Sequence, residues 1–323
     1  MNNIRKILIL VIMILLTFTS LPAEDAGNKY SFYLSPLAGF LYGQAEEIVY
    51  RFPGDSQYMS LLLWDLKPLV YAGLAGNFGP RNKFEHNGWI AAGSFKFGFP
   101  HKTGIMENRD WLGAGNNVTH FSQHNLFSQS VFLVDLSLGY SWRLNDYLAL
   151  HTFAEFSFLH FSWIAKGGSG QYPFGQVSFN GPVIEYRQNW FIFSPGISLK
   201  GRINHLFSLE GRFNYSPLVF CAARDRHIER DTVFLDYLWW GHYFKAGGKL
   251  IFSVISNMDL TLYLNYLHIT ETRGNTNISG VIYNDVGGAA FSTLDMGIAA
   301  KIHIIGLPRG TRPLEIESAE PLQ

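Results

Sequence analysis

From Tyr30 onward, apolar residues recur at every second position, and no run is long enough to cross a bilayer as a helix. Leu260, Leu262, Leu264 and Tyr266 alternate with Thr261, Tyr263, Asn265 and Leu267. Phe207, Leu209, Phe213 and Tyr215 alternate with Ser208, Glu210, Arg212 and Asn214. Leu294, Met296, Ile298 and Ala300 alternate with Asp295, Gly297 and Lys301. Period two belongs to the β-strand. A strand with one apolar face and one small or charged face fits a wall between lipid and a polar lumen. It also fits a sandwich strand with one face in water. The number and length of the strands favour the barrel.

Composition agrees. Charged residues are 15% of the 323 residues, against about 25% in soluble domains. Mean hydropathy is nevertheless only +0.05. Apolar content of 47% excludes a disordered chain. The 25 Lys+Arg balance 25 Asp+Glu, so no basic field is offered to nucleic acid. The single cysteine, Cys221, excludes an internal disulfide framework.

Residues 1–23 read as a secretory signal: Arg5 and Lys6 precede the apolar stretch Ile7 to Leu16, with Ser20, Pro22 and Ala23 before Glu24. Residues 24–305 read as an all-β, ten-stranded antiparallel up-and-down transmembrane barrel. The expected strands are roughly 30–46, 57–78, 87–104, 126–142, 147–166, 181–201, 206–223, 236–255, 259–272 and 289–304. Short polar turns at 143–146, 202–205 and 256–258 mark the periplasmic side. Irregular stretches at 47–56, 106–125, 167–179, 224–235 and 273–288 are expected as extracellular loops. An even strand number puts both termini on the periplasmic side. Trp142, Trp163, Trp239, Trp240, Tyr237 and Tyr263 are candidates for aromatic girdles. Residues 306–323, rich in Pro and charge, are expected to form a disordered periplasmic tail.

The signatures of common soluble enzymes are absent. Asp135, Glu155, Glu210, Arg212, Asp295 and Lys301 fall on the polar face and are expected to pair inside the lumen. His120 and His124 lack the further ligands that zinc requires, and no metal or cofactor is expected. Asp225-Arg226-His227 is an Asp-x-His: in extended chain the two share a face, and the carboxylate can hold one imidazole nitrogen. Asn108-Arg109-Asp110 lies in the second long loop, where an acidic group can hold a water for the His to deprotonate. By spacing alone an Asp-x-His is a weak signal, and an exposed loop is the ordinary reading of these residues.

Five local stretches stand in order along the chain: Gly43 with Glu47-Ile-Val-Tyr50, Gly104-Ile-Met106-Glu-Asn-Arg-Asp110-Trp111, Ala165-Lys-Gly-Gly168, Asp225-Arg-His227 and Arg273-Gly-Asn-Thr276. By their order and spacing the chain resembles the omptin family of outer-membrane endopeptidases over about residues 30–304. The resemblance implies an aspartic-type endopeptidase with an Asp–His dyad facing an acidic pair across a water. Asp225 and His227 fall on the dyad, and Asp110 and Asn108 on the pair. Asn108 is thus an amide where the family has an acid. The resemblance also implies two carboxylates that hold a basic substrate residue. Glu47 matches one, and the other falls on Ala223. Phe156, Phe158 and His160 stand where the family's lipopolysaccharide-binding residues would be, so that pattern is not matched.

The implied protein is a monomer in outer-membrane lipid, with a polypeptide substrate or ligand at an extracellular cleft. The rival reading is a non-catalytic, adhesin-type surface barrel that binds polypeptides through the same cleft. Parity poses one problem. Arg212 and Asn214 face inward at even numbers, yet Asp225 and His227 are odd, which requires a bulge near Pro217.

Overall fold

A computed structural model of the protein describes residues 30–113, 117–255 and 258–305. The expected signal and the expected tail lie outside them. Thirteen strands form one antiparallel sheet: β1 (Tyr30–Tyr50), β2 (Tyr58–Pro80), β3 (Gly88–Gly98), β4 (Lys102–Asp110), β5 (His120–Arg143), β6 (Leu148–Tyr172), β7 (Gly175–Arg202), β8 (Phe207–Ser216), β9 (Val219–His227), β10 (Thr232–Trp239), β11 (Tyr243–Ile255), β12 (Met258–Ile278) and β13 (Val281–Ile305). Three walls are interrupted once each, so that β3 continues as β4, β8 as β9, and β10 as β11. The ring therefore has ten walls. It closes where β1 pairs with β13, from Phe32 opposite Ile305 to Val49 opposite Gly287.

The expected extracellular loops are mostly strand. β1 runs on to Tyr50, β4 and β5 occupy most of 106–125, and β6 and β7 pair through Tyr172 and Gly175. β9 and β10 pair up to His227–Thr232, and β12 and β13 up to Ile278–Val281. The last hairpin turns in two residues, Ser279 (φ 52°) and Gly280 (φ 89°), both in the left-handed region, as a two-residue hairpin turn of the primed type requires. These extensions rise above the lipid, where neither face must be apolar. At 107–110 and 224–227 they are polar on both faces, so the hydrophobic alternation of the crossing segments does not continue there.

The outer face is apolar across the bilayer. Phe40, Leu74, Phe95, Leu138, Phe193, Ile197, Phe213, Leu262 and Ile298 are all exposed on it. On the periplasmic side Trp89, Tyr140 and Trp142 form an aromatic cluster. Toward the other side Phe191, Phe220 and Trp239 make another. Trp142, Tyr237, Trp239 and Trp240 are exposed, in keeping with girdle positions. Trp163 and Tyr263 are not girdle residues. Trp163 is fully buried inside the barrel, and the Tyr263 hydroxyl meets that of Tyr71 at 2.7 Å in the lumen. Period two gives each residue a face but does not say which aromatic is needed to fill the interior.

The interior is filled in two layers. The lower layer is ionic. Lys245 Nζ lies 3.1 Å from Asp135 and 3.2 Å from Glu155, and Arg212 also pairs with Glu155. Lys96 pairs with Asp295, and Lys249 lies 3.2 Å from Glu210. Every carboxylate expected to face the lumen has a cationic partner there. Above this is an aromatic layer. Trp64 stacks on Tyr186 at 4.8 Å between ring centres, Phe161 on Trp163 at 5.4 Å, and Phe161 meets Phe291 at 4.8 Å. Gln188 of β7 donates to the Glu46 carbonyl of β1 at 3.0 Å, which joins two walls across the lumen. Removing one partner of a buried ion pair strands the other and costs about 3–5 kcal/mol. Lys245→Met is therefore expected to destabilise the barrel by about 3 kcal/mol, read as a lower urea midpoint in detergent or lipid vesicles. An unchanged midpoint would show that the network is not holding the walls together.

Candidate active site

Above the aromatic layer the lumen opens into a cleft lined by the strand extensions. One wall is β9. β8 pairs with β7 with Asn214 opposite Gly196, and β9 pairs with β7 with Val219 opposite Ile192. Three residue steps from Ser216 to Val219 therefore span what two steps span on β7, an extra-residue bulge at Pro217 and Leu218. Ser216 and Val219 are both buried, and Leu218 is exposed. The inward face thus changes from even to odd numbers, and Asp225 and His227 enter the cleft as parity required.

His227 Nε2 lies 2.7 Å from Asp225 Oδ2. Arg230, in the turn that follows, places Nη2 2.6 Å from His227 Nδ1. A guanidinium only donates, so Nδ1 accepts, and Nε2 keeps its proton and donates a hydrogen bond to Asp225. The Phe234 ring meets the imidazole edge-on at 5.4 Å. Asp225 is buried, and its Oδ1 has no hydrogen-bond partner.

The opposite wall is β4, four walls away in a ring of ten. Asn108 and Asp110 sit two apart on a strand, not in a loop as expected, and share its inner face. Ser60 on β2 is 2.6 Å from Asp110 Oδ1 and 3.2 Å from Asn108 Oδ1. Asn108 Nδ2 donates to Asp110 Oδ2 at 3.3 Å. Glu107 points to the other face, where it pairs with Arg109 at 2.8 Å and accepts from Gln123. It cannot replace the missing acid. Tyr172, on β6, feels residues of both walls: burial and Asp110 hold its hydroxyl above its ordinary pKa, with Arg230 opposing.

Glu47, on β1, is buried beside Trp64, and its Oε2 is unpartnered. Burial, then the charges of Asp225 and Asp236, hold its carboxyl well above the usual range. Asp236 is the residue that sequence reasoning missed. It lies opposite Ala223 in the β9–β10 register, is buried, and accepts from Thr276 Oγ1 at 2.6 Å. Burial and the nearby Asp225 push its pKa up to about 7, against the Thr276 bond. The one available signal was an Asp inside the apolar run Val233-Phe-Leu-Asp-Tyr-Leu-Trp239. His124, by contrast, is committed to structure, with Nδ1 2.6 Å from the Gly167 carbonyl and Nε2 2.9 Å from Ser122 Oγ.

The sequence model described as "Omptin family" matches residues 28–306. The chain belongs to the omptin family. Over 274 residues it is 25% identical to the outer membrane protease IcsP of Shigella flexneri, covering 76% of this chain and 82% of that protein. The crystal structure of the outer membrane protease OmpT from Escherichia coli superposes with a TM-score of 0.76 at 18% identity, covering 85% of this chain and 97% of the other. At that identity OmpT attests the fold. This omptin is an outer-membrane β-barrel with extracellular loops.

The bulge makes the omptin's cleft sensitive to register. Deleting Leu218 alone removes the extra residue and keeps Asp225 and His227 inward, so a folded barrel with its cleft is expected. Deleting Pro217 and Leu218 together turns Arg224 and Arg226 inward and the dyad outward. The shift of the folded band on unboiled gels should survive the first deletion and be lost with the second. Equal behaviour of the two would refute the bulge.

Proposed function

We propose that this omptin is an endopeptidase that hydrolyses peptide bonds near basic residues, with a water activated between the Asp225–His227 dyad and the Asn108–Asp110 pair. The reading is carried by the 2.7 Å Asp225–His227 contact at the mouth of an omptin barrel, facing a second polar pair on the opposite wall. Asp225 holds the imidazole by Nε2 and stabilises its protonated form. His227 Nδ1 is then the base. Arg230 occupies that nitrogen here and has to move aside before a water takes its place. The water donates one proton toward Nδ1 and the other toward Asp110, while Asn108 orients it. As the oxygen attacks the scissile carbonyl carbon, Nδ1 takes the proton. His227 then returns it to the leaving amine as the C–N bond breaks. Glu47 attracts the basic side chain of the substrate.

The rival, a non-catalytic surface barrel that binds polypeptides, is favoured by Asn108. An amide can orient water but cannot take a proton or carry negative charge as a carboxylate does. Two variants separate the readings. Refolded protein in detergent should cleave arginine- and lysine-containing peptides, and His227→Ala should abolish cleavage. Asn108→Asp should raise the rate by roughly tenfold or more, toward the 10²–10⁴ of general acid–base catalysis. Wild-type turnover no higher than that of His227→Ala, without gain from Asn108→Asp, leaves the binding barrel.

A further inference from the structure

Three carboxylates converge at the base of the cleft from three strands: Glu47 from β1, Asp225 from β9 and Asp236 from β10. Glu47 feels the charges of both others, and Asp236 feels that of Asp225. Among the described residues no Lys or Arg forms an ion pair with any of them. The lower lumen is the reverse, with each acid matched to a cation. Two of the three acids also carry unused acceptors: Glu47 Oε2 and Asp225 Oδ1 are buried without a hydrogen-bond partner, in side chains 3% and 2% exposed. Buried acceptors left open in this way are costly unless a donor arrives from outside.

Asp236 is held in place. Thr276 fixes its Oδ1, and glycine at 287 on β13 leaves it room, since a Cβ there would stand 2.9 Å from that oxygen and 2.5 Å from Thr276 Oγ1. On β9 the position directly opposite is Ala223, which offers no polar group. The groups facing Asp236 are Asp225 and Cys221 from β9, Tyr186 from β7 and Glu47 from β1. All are neutral or acidic. Trp64 and Tyr186, stacked on each other at 4.8 Å, adjoin Glu47. Among the described residues no group of three or more acids, His or Cys is arranged to hold a metal ion, so the cation that fits is an organic one.

We propose that Asp236 is a specificity-determining residue: it supplies the second carboxylate of a cation pocket whose first is Glu47, standing in across the β9–β10 pair for the side chain that Ala223 lacks, and the pocket holds the guanidinium or ammonium of a bound polypeptide. The inference rests on the reading of the cleft as a polypeptide site, and it stands whether or not the bond is cut. In the empty pocket burial and the neighbouring carboxylates favour the protonated forms of Glu47 and Asp236. A basic side chain displaces those protons as it enters. With Asp236 at about 7, affinity for the cation should rise as pH climbs through neutrality.

The test is equilibrium binding in detergent of a tetrapeptide with one arginine, the bond after it N-methylated against cleavage, beside its citrulline twin. Wild type should prefer arginine by at least tenfold, and the preference should grow from pH 5.5 to 8. Asp236→Asn should bring the preference down several-fold and flatten its pH dependence. Ala223→Asp combined with Asp236→Asn should restore it, because the carboxylate returns from the facing position. An undiminished preference in folded Asp236→Asn overturns the assignment, and so does a wild-type preference that is absent or independent of pH. The pH series needs no variant, so a misfolded mutant does not shield the proposal. Arginine preference without turnover of ordinary peptides retains the pocket and removes the peptidase reading.

Discussion

A strand that crosses lipid finds no water for its N–H and C=O groups, so both of its edges must be paired within the protein. Here the requirement is met when the β1 edge meets β13, with residues 32–49 opposite 287–305. The rest of the structure depends on that seam. Once the sheet is a ring, alternate residues of every wall have only lipid or a shared interior to face. The apolar set is spent outward, and whatever is left must be satisfied inside a narrow lumen.

The way the lumen is satisfied explains where the site is. At membrane level Lys245, Arg212, Lys96 and Lys249 neutralise Asp135, Glu155, Asp295 and Glu210. Above them the aromatic layer around Trp64, Phe161, Trp163 and Tyr186 closes the channel and makes a dry floor. The cleft is what remains between that floor and solvent. Glu47 and Asp236 have no cationic partner there among the described residues, in contrast to the acids below. The cleft's side chains stand on paired strands rather than on loops, and that rigidity is what a two-sided site requires. Arg230 differs: it is an exposed turn residue, and it holds the one imidazole nitrogen that the chemistry needs.

Much of this was legible beforehand, for a physical reason in each case. Alternation in 207–215 and 260–266 marked the lipid face correctly because side-chain direction along a strand is a local property. The pairing of Asp225 with His227 and of Asn108 with Asp110 followed from the same two-residue spacing. Alternation is not the only mark of a strand. The extensions that carry Asp110 and His227 are polar on both faces, at 107–110 and 224–227, and Glu47 is followed by the unalternating run Ile48-Val49-Tyr50, so alternation does not mark them as strand although their backbones are paired. Trp163 and Tyr263 count as girdle candidates in the sequence because aromatic character alone does not distinguish an interface from a crowded interior. Asp236 had no partner at any regular spacing, since its neighbours come from β1, β9 and β12.

By itself, then, the sequence determined which residues of a strand share a face, the number of walls, and the pairs that stand two apart. It also required a break in parity near Pro217. Only the tertiary structure decided which walls oppose each other, that the break is one extra residue against β7, and that Glu47, Asp225 and Asp236 crowd into one acidic corner. Facing within a strand is set by two torsions per residue and needs no other part of the chain. Proximity across a barrel is set by closure and stagger, which every strand pairing fixes jointly.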